Sequence, residues 1–284
     1  MNVSFRIQPA RPQDILSITP FHEWRLPNDK AAWCEFRRIA GGIHLRFPDL
    51  ADFAIVEQGR EVRSTPVPEL DAATLEHLQL NQVLPLALSA QGIPVFHASG
   101  VEIEGVAIAF LGVSGRGKST LATHLATQGA PLITDDGLEL EWQHEGHMVK
   151  PSHPSVRLWE DSQEVLVGNR LPTAPAVSYT DKARFLVDDE LPLCSGPRPL
   201  RRAFFLGEGD TDNIAITPMT AAEAAVEWVK HSFLADIGDK NRLTSHFAQI
   251  GKLAAQGISY RLDYPREYDK LDAVSAAIAA SLRS

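Results

Sequence analysis

The segment GVSGRGKST, residues 112–120, constrains the fold of this chain more than any other feature. It matches G-x-x-x-x-G-K-[ST], in which glycines let backbone N–H groups approach a phosphate without a Cβ atom in the way. The apolar run VAIAFLGV leads into it, and STLATHLATQG follows it, with Leu121 and Leu125 on one face and Gly129 as a terminator. The order strand, glycine loop, helix predicts a phosphate-binding α/β unit; the alternative is a chance match in a surface turn.

Each position of this loop has an expected task in binding a nucleoside triphosphate. Lys118 is expected to bridge the β- and γ-phosphates, and Ser119 to ligate Mg²⁺. The helix that begins there directs the positive end of its dipole at the anion. ATP and Mg²⁺ are therefore the expected ligands. The expected nucleotide-binding residues of the loop are Gly112, Val113, Ser114, Gly115, Arg116, Gly117, Lys118, Ser119 and Thr120.

A pair of carboxylates, Asp135 and Asp136, ends the buried strand PLITDD. Because a strand–helix–strand crossover makes the two strands parallel, their C-terminal ends share one edge of the sheet, and the pair is expected to meet the loop. One carboxylate there can hold the metal, and the other can accept a proton from an attacking hydroxyl. The alternative is that DDG is only a turn after a strand.

The segment VEIEGVAIAFLG predicts a β-hairpin with its turn at Glu104 and Gly105. Antiparallel pairing about this turn places residue 98 opposite about residue 111. His97 is then expected beside the entrance of the glycine loop, where it can contact the Asp pair or a phosphate and take part in catalysis. A structural hydrogen bond is the alternative role for this histidine.

Several basic residues are further candidates for phosphate contacts. Arg157, in HPSVRLWED, can neutralise charge on a transferring phosphoryl group and is included among the nucleotide-binding residues. Pairing with Glu160 or Asp161 is the more common role for such an arginine. Four other basic residues are weaker candidates, with a solvated face as the default: Lys182, Arg184, Arg201 and Arg202.

The character of the chain changes near residue 70. Residues 1–70 carry short alternating segments broken by Gly and Pro and predict a small β-rich N-terminal segment. Residues 71–284 predict an α/β domain, in which a P-loop-containing mixed sheet is flanked by helices. The segment DAATLEHLQLNQVLPLALSAQG, with Asp71 as a cap and Gly92 as a stop, predicts a helix that leads into this domain.

Charge and hydropathy exclude several classes of function. A net charge of −9 argues against nucleic acid or an anionic membrane as a partner. The longest apolar runs are too short to span a membrane, so a cytoplasmic protein is expected. The only cysteines, Cys34 and Cys194, lie far apart and indicate neither a disulfide framework nor a cysteine metal site.

The stretch FHASGVEIEGVAIAFLGVSGRGKSTLATHLATQGAPLITDDG resembles the core of the HPr kinase/phosphorylase family, in which a His precedes a short hairpin, the P-loop, a short helix and a paired Asp. The resemblance implies a fold like the C-terminal domain of those kinases and assembly into a homo-oligomer. It implies that Asp135 is the general base for an acceptor serine, with His97 supporting it. It also implies that Asp136 holds Mg²⁺ together with Ser119.

The chain departs from that family after the Asp pair. The glycine-rich signature that follows the pair in HPr kinase/phosphorylases, with its acidic residue, is not found here. The chain is more similar to the divergent HPr-kinase-related proteins that accompany peptide-modification systems, including those that phosphorylate the C-terminal serine of lasso-peptide precursors. That resemblance implies a peptide or protein acceptor that carries a serine.

Together these features predict an ATP-dependent serine kinase that acts on a peptide or protein. The alternatives are an HPr-type serine kinase/phosphorylase, a small-molecule kinase and a nucleotide-gated regulatory ATP-binding protein. A structural protein with a relic loop is a fourth, and it would gain no thermal stability from ATP.

Overall fold

The structure is a computed structural model that describes residues 3–25, 31–143, 146–152, 155–168, 173, 175–180, 182–186 and 191–283. By packing of Cα atoms the chain forms two compact units. The first contains Met1–Ile93, Val177–Tyr179 and Leu234–Lys240, and the second contains the remaining ranges up to Ser284. The expected α/β class, a mixed sheet with flanking helices, is confirmed in the second unit.

The first unit is built on a β-sheet, as the alternating N-terminal segments predict. Within the described residues it has six strands: β1 Ser4–Ile7, β2 His22–Trp24, β3 Cys34–Ile39, β4 Gly42–Phe47, β5 Ala51–Val56 and β6 Glu61–Pro66. The spatial order is β1-β6-β5-β4-β3-β2, with β1 parallel to β6 and the other pairs antiparallel. Phe36, Leu45 and Phe53, on the central strands, are fully buried and form part of its core.

The helical segment after β6 begins where the sequence predicts, but it belongs to the first unit. It consists of α1 Ala72–Leu78, a π-helical turn Gln79–Val83 and α2 Leu84–Ala90. The Asp71 carboxylate caps α1 by accepting from the Thr74 amide at 2.7 Å.

Hydrogen bonds hold this segment to the strands before it. The Gln79 side-chain amide donates to the Ser64 hydroxyl at 2.9 Å, and the Gln91 amide donates to the Gly59 carbonyl at 2.9 Å. Compact packing therefore continues to Ile93, past the domain boundary at residue 70 that the change in composition suggests.

The second unit contains a nine-stranded mixed sheet within the described residues, together with a separate strand pair. The strands of the sheet are β7 Val95–Phe96, β8 Ala98–Ile103, β9 Val106–Leu111, β10 Leu132–Thr134, β11 Leu138–Gln143, β12 Gly146–Lys150, β15 Arg198–Leu206, β16 Ala215–Pro218 and β17 Ser259–Asp263. The spatial order of this sheet is β10-β8-β9-β15-β12-β11-β7, with β17 beside β15 and β16 beside β17. The separate pair is β13 Ser155–Leu158 and β14 Ala183–Leu186.

The β8–β9 hairpin forms as its sequence predicts. Glu104 and Gly105 both have positive φ, 51° and 82°, which suits a two-residue hairpin turn, and Ala98 lies opposite Leu111. β10 pairs antiparallel with β8, which separates it from β9. Because β8 is antiparallel to both neighbours, β9 and β10 run in the same direction, and their C-terminal ends meet at one edge of the sheet.

Helices cover both faces of this sheet because neighbouring strand residues point to opposite sides. The helices are α3 Lys118–Thr127, α4 Glu160–Leu166, α5 Ala221–Lys230, α6 Lys240–Ala254 and α7 Leu271–Leu282. Phe110 and Phe204 pack in one apolar cluster with α3 and α7, whereas Phe205 packs in another with α5 and α6. In the described part of the chain, no helix combines the length and the apolar character needed to cross a membrane.

Candidate functional site

The glycine loop joins the end of β9 to the start of α3, as the sequence predicts. Gly117 is the N-cap of α3 with φ of 85°, a left-handed conformation that residues with a Cβ atom rarely adopt. It offers no side-chain oxygen, so the first-turn N–H groups of Lys118, Ser119 and Thr120 have no cap. The first helical bond runs from the Leu121 amide to the Gly117 carbonyl at 2.9 Å. Residues 117–120, at the start of this helix, line a cavity in the second unit. An uncapped helix start beside a cavity is suited to bind an anion.

Lys118 is buried and turns back onto its own loop. Its Nζ atom donates to the carbonyl oxygens of Gly112 at 2.8 Å and Val113 at 3.3 Å. Burial lowers the pKa of Lys118 to about 8. The positive charges of Lys182 and Arg157 also lower this pKa, whereas the negative charges of the Asp pair raise it. A buried ammonium held only by neutral carbonyls is a charge that a phosphate group can neutralise.

The Asp135 carboxylate lies beside the first turn of α3. Its Oδ1 atom accepts from the hydroxyls of Ser99 at 2.6 Å and Ser119 at 2.8 Å, and its Oδ2 atom accepts from the Arg157 amide at 3.0 Å. Burial, followed by the negative charge of Asp136, raises its pKa. The structure thus pairs Ser119 with Asp135, whereas the resemblance implied a pair with Asp136.

Asp136 occupies a different position, on the wall of the cavity. Its Oδ2 atom accepts from Nε of Arg157 at 2.8 Å and also from Nη2 of the same guanidinium. Burial is the largest single influence and raises the pKa of Asp136, but the charge and hydrogen bond of Arg157 and the charge of Lys182 act with other nearby groups to outweigh it and hold that pKa below its usual range. Asp136 is therefore an ionised carboxylate at neutral pH, in contact with the space where a ligand would lie.

The backbone explains why the two neighbouring carboxylates separate. Asp136 has φ of 76°, in the left-handed region that few non-glycine residues occupy. The Thr134 hydroxyl closes the bend by donating to the Gly137 carbonyl at 2.7 Å. DDG is thus a turn after a strand, and this turn directs one carboxylate to Ser119 and the other to the cavity. Such backbone strain is often found at functional sites.

His97 lies between β7 and β8 and contacts Asp136, near the loop as the hairpin predicts. Its Nδ1 atom is 3.2 Å from the Asp136 carbonyl oxygen and 3.9 Å from Oδ1 of the same residue. Because a carbonyl only accepts, Nδ1 carries the proton of a neutral ring and Nε2 is left as an acceptor. Burial, followed by the charge of Lys118, lowers the pKa of His97 to about 4, so the ring is neutral at pH 7.

The basic candidates differ in where the structure places them. Arg157, on β13, lines the cavity and pairs with Asp136 rather than with Glu160 or Asp161. Lys182 also lines the cavity, so its default interpretation as part of a solvated face was wrong. The other three weaker candidates are not among the residues that line the cavity: Arg184, Arg201 and Arg202.

The expected loop residues do not all face the cavity. Arg116 donates to both the backbone and the side chain of Glu208 and so points away. Gly112 and Val113 are also absent from the lining, although their carbonyls hold Lys118. The expected residues that line the cavity are His97, Ser114, Gly115, Gly117, Lys118, Ser119, Thr120, Asp136 and Arg157.

One wall of the cavity went unrecognised in the sequence. It follows β17 and includes Tyr264, Arg266, Glu267, Tyr268 and Leu271. β17 runs parallel to β15, which runs parallel to β9, so the C-terminal end of β17 reaches the sheet edge that carries the glycine loop. The segment ISYRLDY, whose alternating apolar residues are typical of a strand, was the available signal, because residues beyond the C-terminal ends of parallel strands line the ligand crevice in α/β proteins.

The described residues contain no cluster of three or more His, Cys, Asp or Glu side chains arranged to hold a metal ion. Two oxygen groups that could act as metal ligands meet at the start of α3, the Ser119 hydroxyl and the Asp135 carboxylate. Hydroxyl and carboxylate oxygens are the donors that Mg²⁺ prefers, and it commonly completes its shell with substrate phosphates and water. The donor set therefore fits a magnesium ion that arrives with a phosphate ligand.

No protein-family model matches this chain. No curated protein matches it either. Among solved structures, the chain is similar to the Hpr(Ser) kinase/phosphatase from Coxiella burnetii, with 12% sequence identity, a TM-score of 0.28, and a match that covers 57% of this chain and 93% of that one.

Proposed function

We propose that this protein transfers the γ-phosphoryl group of ATP to a serine hydroxyl of a peptide or protein, in particular of a lasso-type precursor peptide. The observation that carries the proposal is one cavity with two unlike walls. One wall presents the uncapped start of α3 and Lys118, and the other presents the ionised Asp136 carboxylate beside neutral His97. The serine acceptor follows from the resemblance of the segment from Phe96 to Gly137 to the HPr kinase/phosphorylase core.

In this proposal the glycine loop and α3 bind the triphosphate. The first-turn N–H groups of Lys118, Ser119 and Thr120 donate to phosphate oxygens, and the Lys118 ammonium exchanges its two carbonyl partners for the β- and γ-phosphates. Both contacts become stronger as the negative charge of the phosphate chain increases. They therefore stabilise the charge that develops as the bond to the γ-phosphorus breaks.

Ser119 and Asp135 are the residues that would hold Mg²⁺. Their oxygens already lie 2.8 Å apart at the start of α3. Mg²⁺ bound there would neutralise negative charge on the phosphates. This assignment exchanges the tasks of Asp135 and Asp136 relative to those that the family resemblance implied, because Asp135 is the carboxylate that meets Ser119.

Asp136 would then act as the general base. The serine oxygen attacks the γ-phosphorus, the bond from that phosphorus to the β–γ bridging oxygen breaks to release ADP, and the hydroxyl proton moves to the Asp136 carboxylate. Arg157 holds this carboxylate in position from one side and His97 contacts it from the other. Substrate positioning and charge neutralisation account for most of the catalysis, as in other phosphoryl transfers.

Asp135→Asn is expected to increase the requirement for magnesium. The half-saturating Mg²⁺ concentration should rise by at least the roughly tenfold that even outer-shell substitutions cause at metal sites. Activity should recover in part at high Mg²⁺, because the Ser119 hydroxyl is retained. Initial rates at saturating ATP across a Mg²⁺ series measure this. Complete inactivity at every Mg²⁺ concentration, with normal binding of MgATP, would instead make Asp135 the base.

The function itself is tested by mass spectrometry. Candidate precursor peptides are incubated with the protein, ATP and Mg²⁺, each beside a matched peptide in which the acceptor serine is replaced by alanine. The proposal expects one added phosphate on the serine peptide only. If ATP is consumed only when small hydroxyl compounds are supplied, the protein is a small-molecule kinase. If ATP raises the Tm and no acceptor is labelled, the site is a nucleotide switch.

A further inference from the structure

The Lys182 ammonium is a charged group of the cavity that the mechanism above does not use. Lys182 directly precedes β14, is half-buried and lines the cavity. Its Nζ atom lies 5.1 Å from the ring centroid of Trp159, a distance at which a cation is attracted to an aromatic face. Among the described residues, no carboxylate or carbonyl oxygen lies within hydrogen-bonding distance of that Nζ atom.

The other cations that line the cavity each have at least one oxygen partner, and Arg266 donates to the Gly207 carbonyl at 2.8 Å. Lys118 donates to two loop carbonyls, and Arg157 is paired with Asp136. Asp135, the second carboxylate near Lys182, accepts hydrogen bonds from two hydroxyls and one amide. The hydrogen bonds of both nearby carboxylates therefore go to groups other than Lys182.

Burial of Lys182 and the positive charge of Arg157 beside it favour an incoming anion, whereas the charges of Asp136 and Asp135 oppose one. Burial, followed by the positive charge of Arg157, lowers the pKa of Lys182, while Asp136 and Asp135 act in the opposite direction. An ammonium that is partly removed from water and has no acceptor in the protein is stabilised when an acceptor arrives. A phosphate group in the cavity would supply several acceptor oxygens at once.

The position of Lys182 indicates which phosphate it meets. Lys118 and the start of α3 approach the cavity from the glycine loop, whereas Lys182 belongs to the β13–β14 side together with Arg157. On that side lies Asp136, the carboxylate expected to meet the acceptor hydroxyl. The group transferred between the loop and the acceptor is the γ-phosphoryl group.

We propose that Lys182 binds the γ-phosphoryl group of the nucleotide and stabilises its charge during transfer, with the Trp159 ring holding the ammonium in place. This inference rests on the proposed function for the identity of the donor. It adds a residue that distinguishes ATP from ADP, since ADP lacks the group that Lys182 would contact. Trp159 acts through Lys182 and is a positioning residue, with its side chain 46% exposed at the start of α4.

Nucleotide binding tests this inference without an acceptor. Titration calorimetry measures Kd for MgATP and MgADP with the full chain and with Lys182→Gln. The expected result is an increase in the Kd for ATP of about tenfold or more, the size of one charge-assisted contact, with the Kd for ADP nearly unchanged. Lys182→Arg should retain most of the preference for ATP because it keeps the positive charge.

Two further variants make the result specific. Lys150→Gln is the matched control, because the Lys150 ammonium pairs with Glu139 and Glu141 on β11 and does not line the cavity. It should leave both affinities unchanged. Trp159→Leu alters an exposed side chain and should reduce the preference for ATP in the same direction but to a smaller extent. If Lys182→Gln lowers the Tm and so destabilises the protein, the affinities of Trp159→Leu for ATP and ADP are used to test the inference instead.

The outcomes separate this inference from the proposed function. If Lys182→Gln weakens ATP and ADP equally, or weakens neither, the γ-phosphoryl contact is refuted. If the variant lowers affinity for ATP alone while the unaltered protein labels no serine acceptor, the Lys182 contact stands and the kinase assignment fails. If serine is labelled and the preference for ATP is unchanged in Lys182→Gln, the kinase assignment stands and the contact fails.

Discussion

Asp136→Asn is expected to reduce phosphoryl transfer about 10³-fold, the typical contribution of a general base, and to leave the binding of ATP intact. Asparagine keeps the size of the side chain and an oxygen that can accept from Arg157, but it cannot take the hydroxyl proton. ATP binding should not weaken, because the substitution removes a negative charge from the cavity that we propose binds the anionic nucleotide. Phosphopeptide formation measures the rate, and calorimetry measures the Kd for MgATP.

Asp269→Asn is the matched control for this prediction. The Asp269 carboxylate is exposed, pairs with Lys270 and is not among the residues that line the cavity, so transfer should be unchanged. The pair Asp136→Asn and Asp135→Asn then decides between two assignments. If Asp136→Asn retains near-normal turnover while Asp135→Asn is inactive at all Mg²⁺ concentrations, the tasks that the family resemblance implied are correct and ours are wrong.

Lys118→Ala is expected to weaken both ATP binding and transfer. Loss of one charge-assisted contact corresponds to about 2 kcal/mol, or roughly thirtyfold in the Kd for ATP. The rate should fall further, by about 10²-fold or more, because the same contact strengthens as charge develops. Lys230→Ala, which removes an exposed ammonium paired with Glu227, is the control. An unchanged Kd in Lys118→Ala would mean that the loop does not bind the triphosphate through Lys118.

The pH dependence of ATP binding gives a second readout for Lys118. The free protein has a pKa of about 8 at this residue, and bound phosphate should raise it because it stabilises the ammonium. Binding above pH 8 must therefore take up a proton, so the Kd for ATP should rise about tenfold per pH unit in that range. Below about pH 7 the Lys118 ammonium is already protonated and should not make the Kd depend on pH. Lys118→Ala should remove that slope. A slope that persists in the variant would assign it to another group.

Features built from residues close in sequence were predictable. The glycine loop, the helix that follows it and the Glu104–Gly105 turn depend on residues within a few positions of one another, and the structure contains all three. The Asp71 cap of α1 is of the same kind. The direction of β10 was also predictable, because a strand–helix–strand crossover makes β9 and β10 run the same way, although β8 lies between the two strands.

The different contacts of Asp135 and Asp136 were not predictable from their order in the chain. Two adjacent carboxylates at a strand end point in directions set by local backbone angles, and here the positive φ of Asp136 sends it to the cavity. Ser99, on β8, contributes the second hydroxyl that holds Asp135, and no motif marks it. The family resemblance implied that Asp136 meets Ser119, whereas the structure has the Ser119 hydroxyl donating to Asp135.

The sequence by itself determined the α/β class, the glycine loop and the presence of carboxylates and His97 at its edge, because periodicity, turn chemistry and crossover direction act over short stretches of chain. Only the tertiary structure decided that Ser119 meets Asp135, that Lys182 lines the cavity beside Trp159, and that residues after β17 line it as well. These contacts join segments far apart in the chain. They depend on side-chain directions and burial that are defined only after the sheet has assembled.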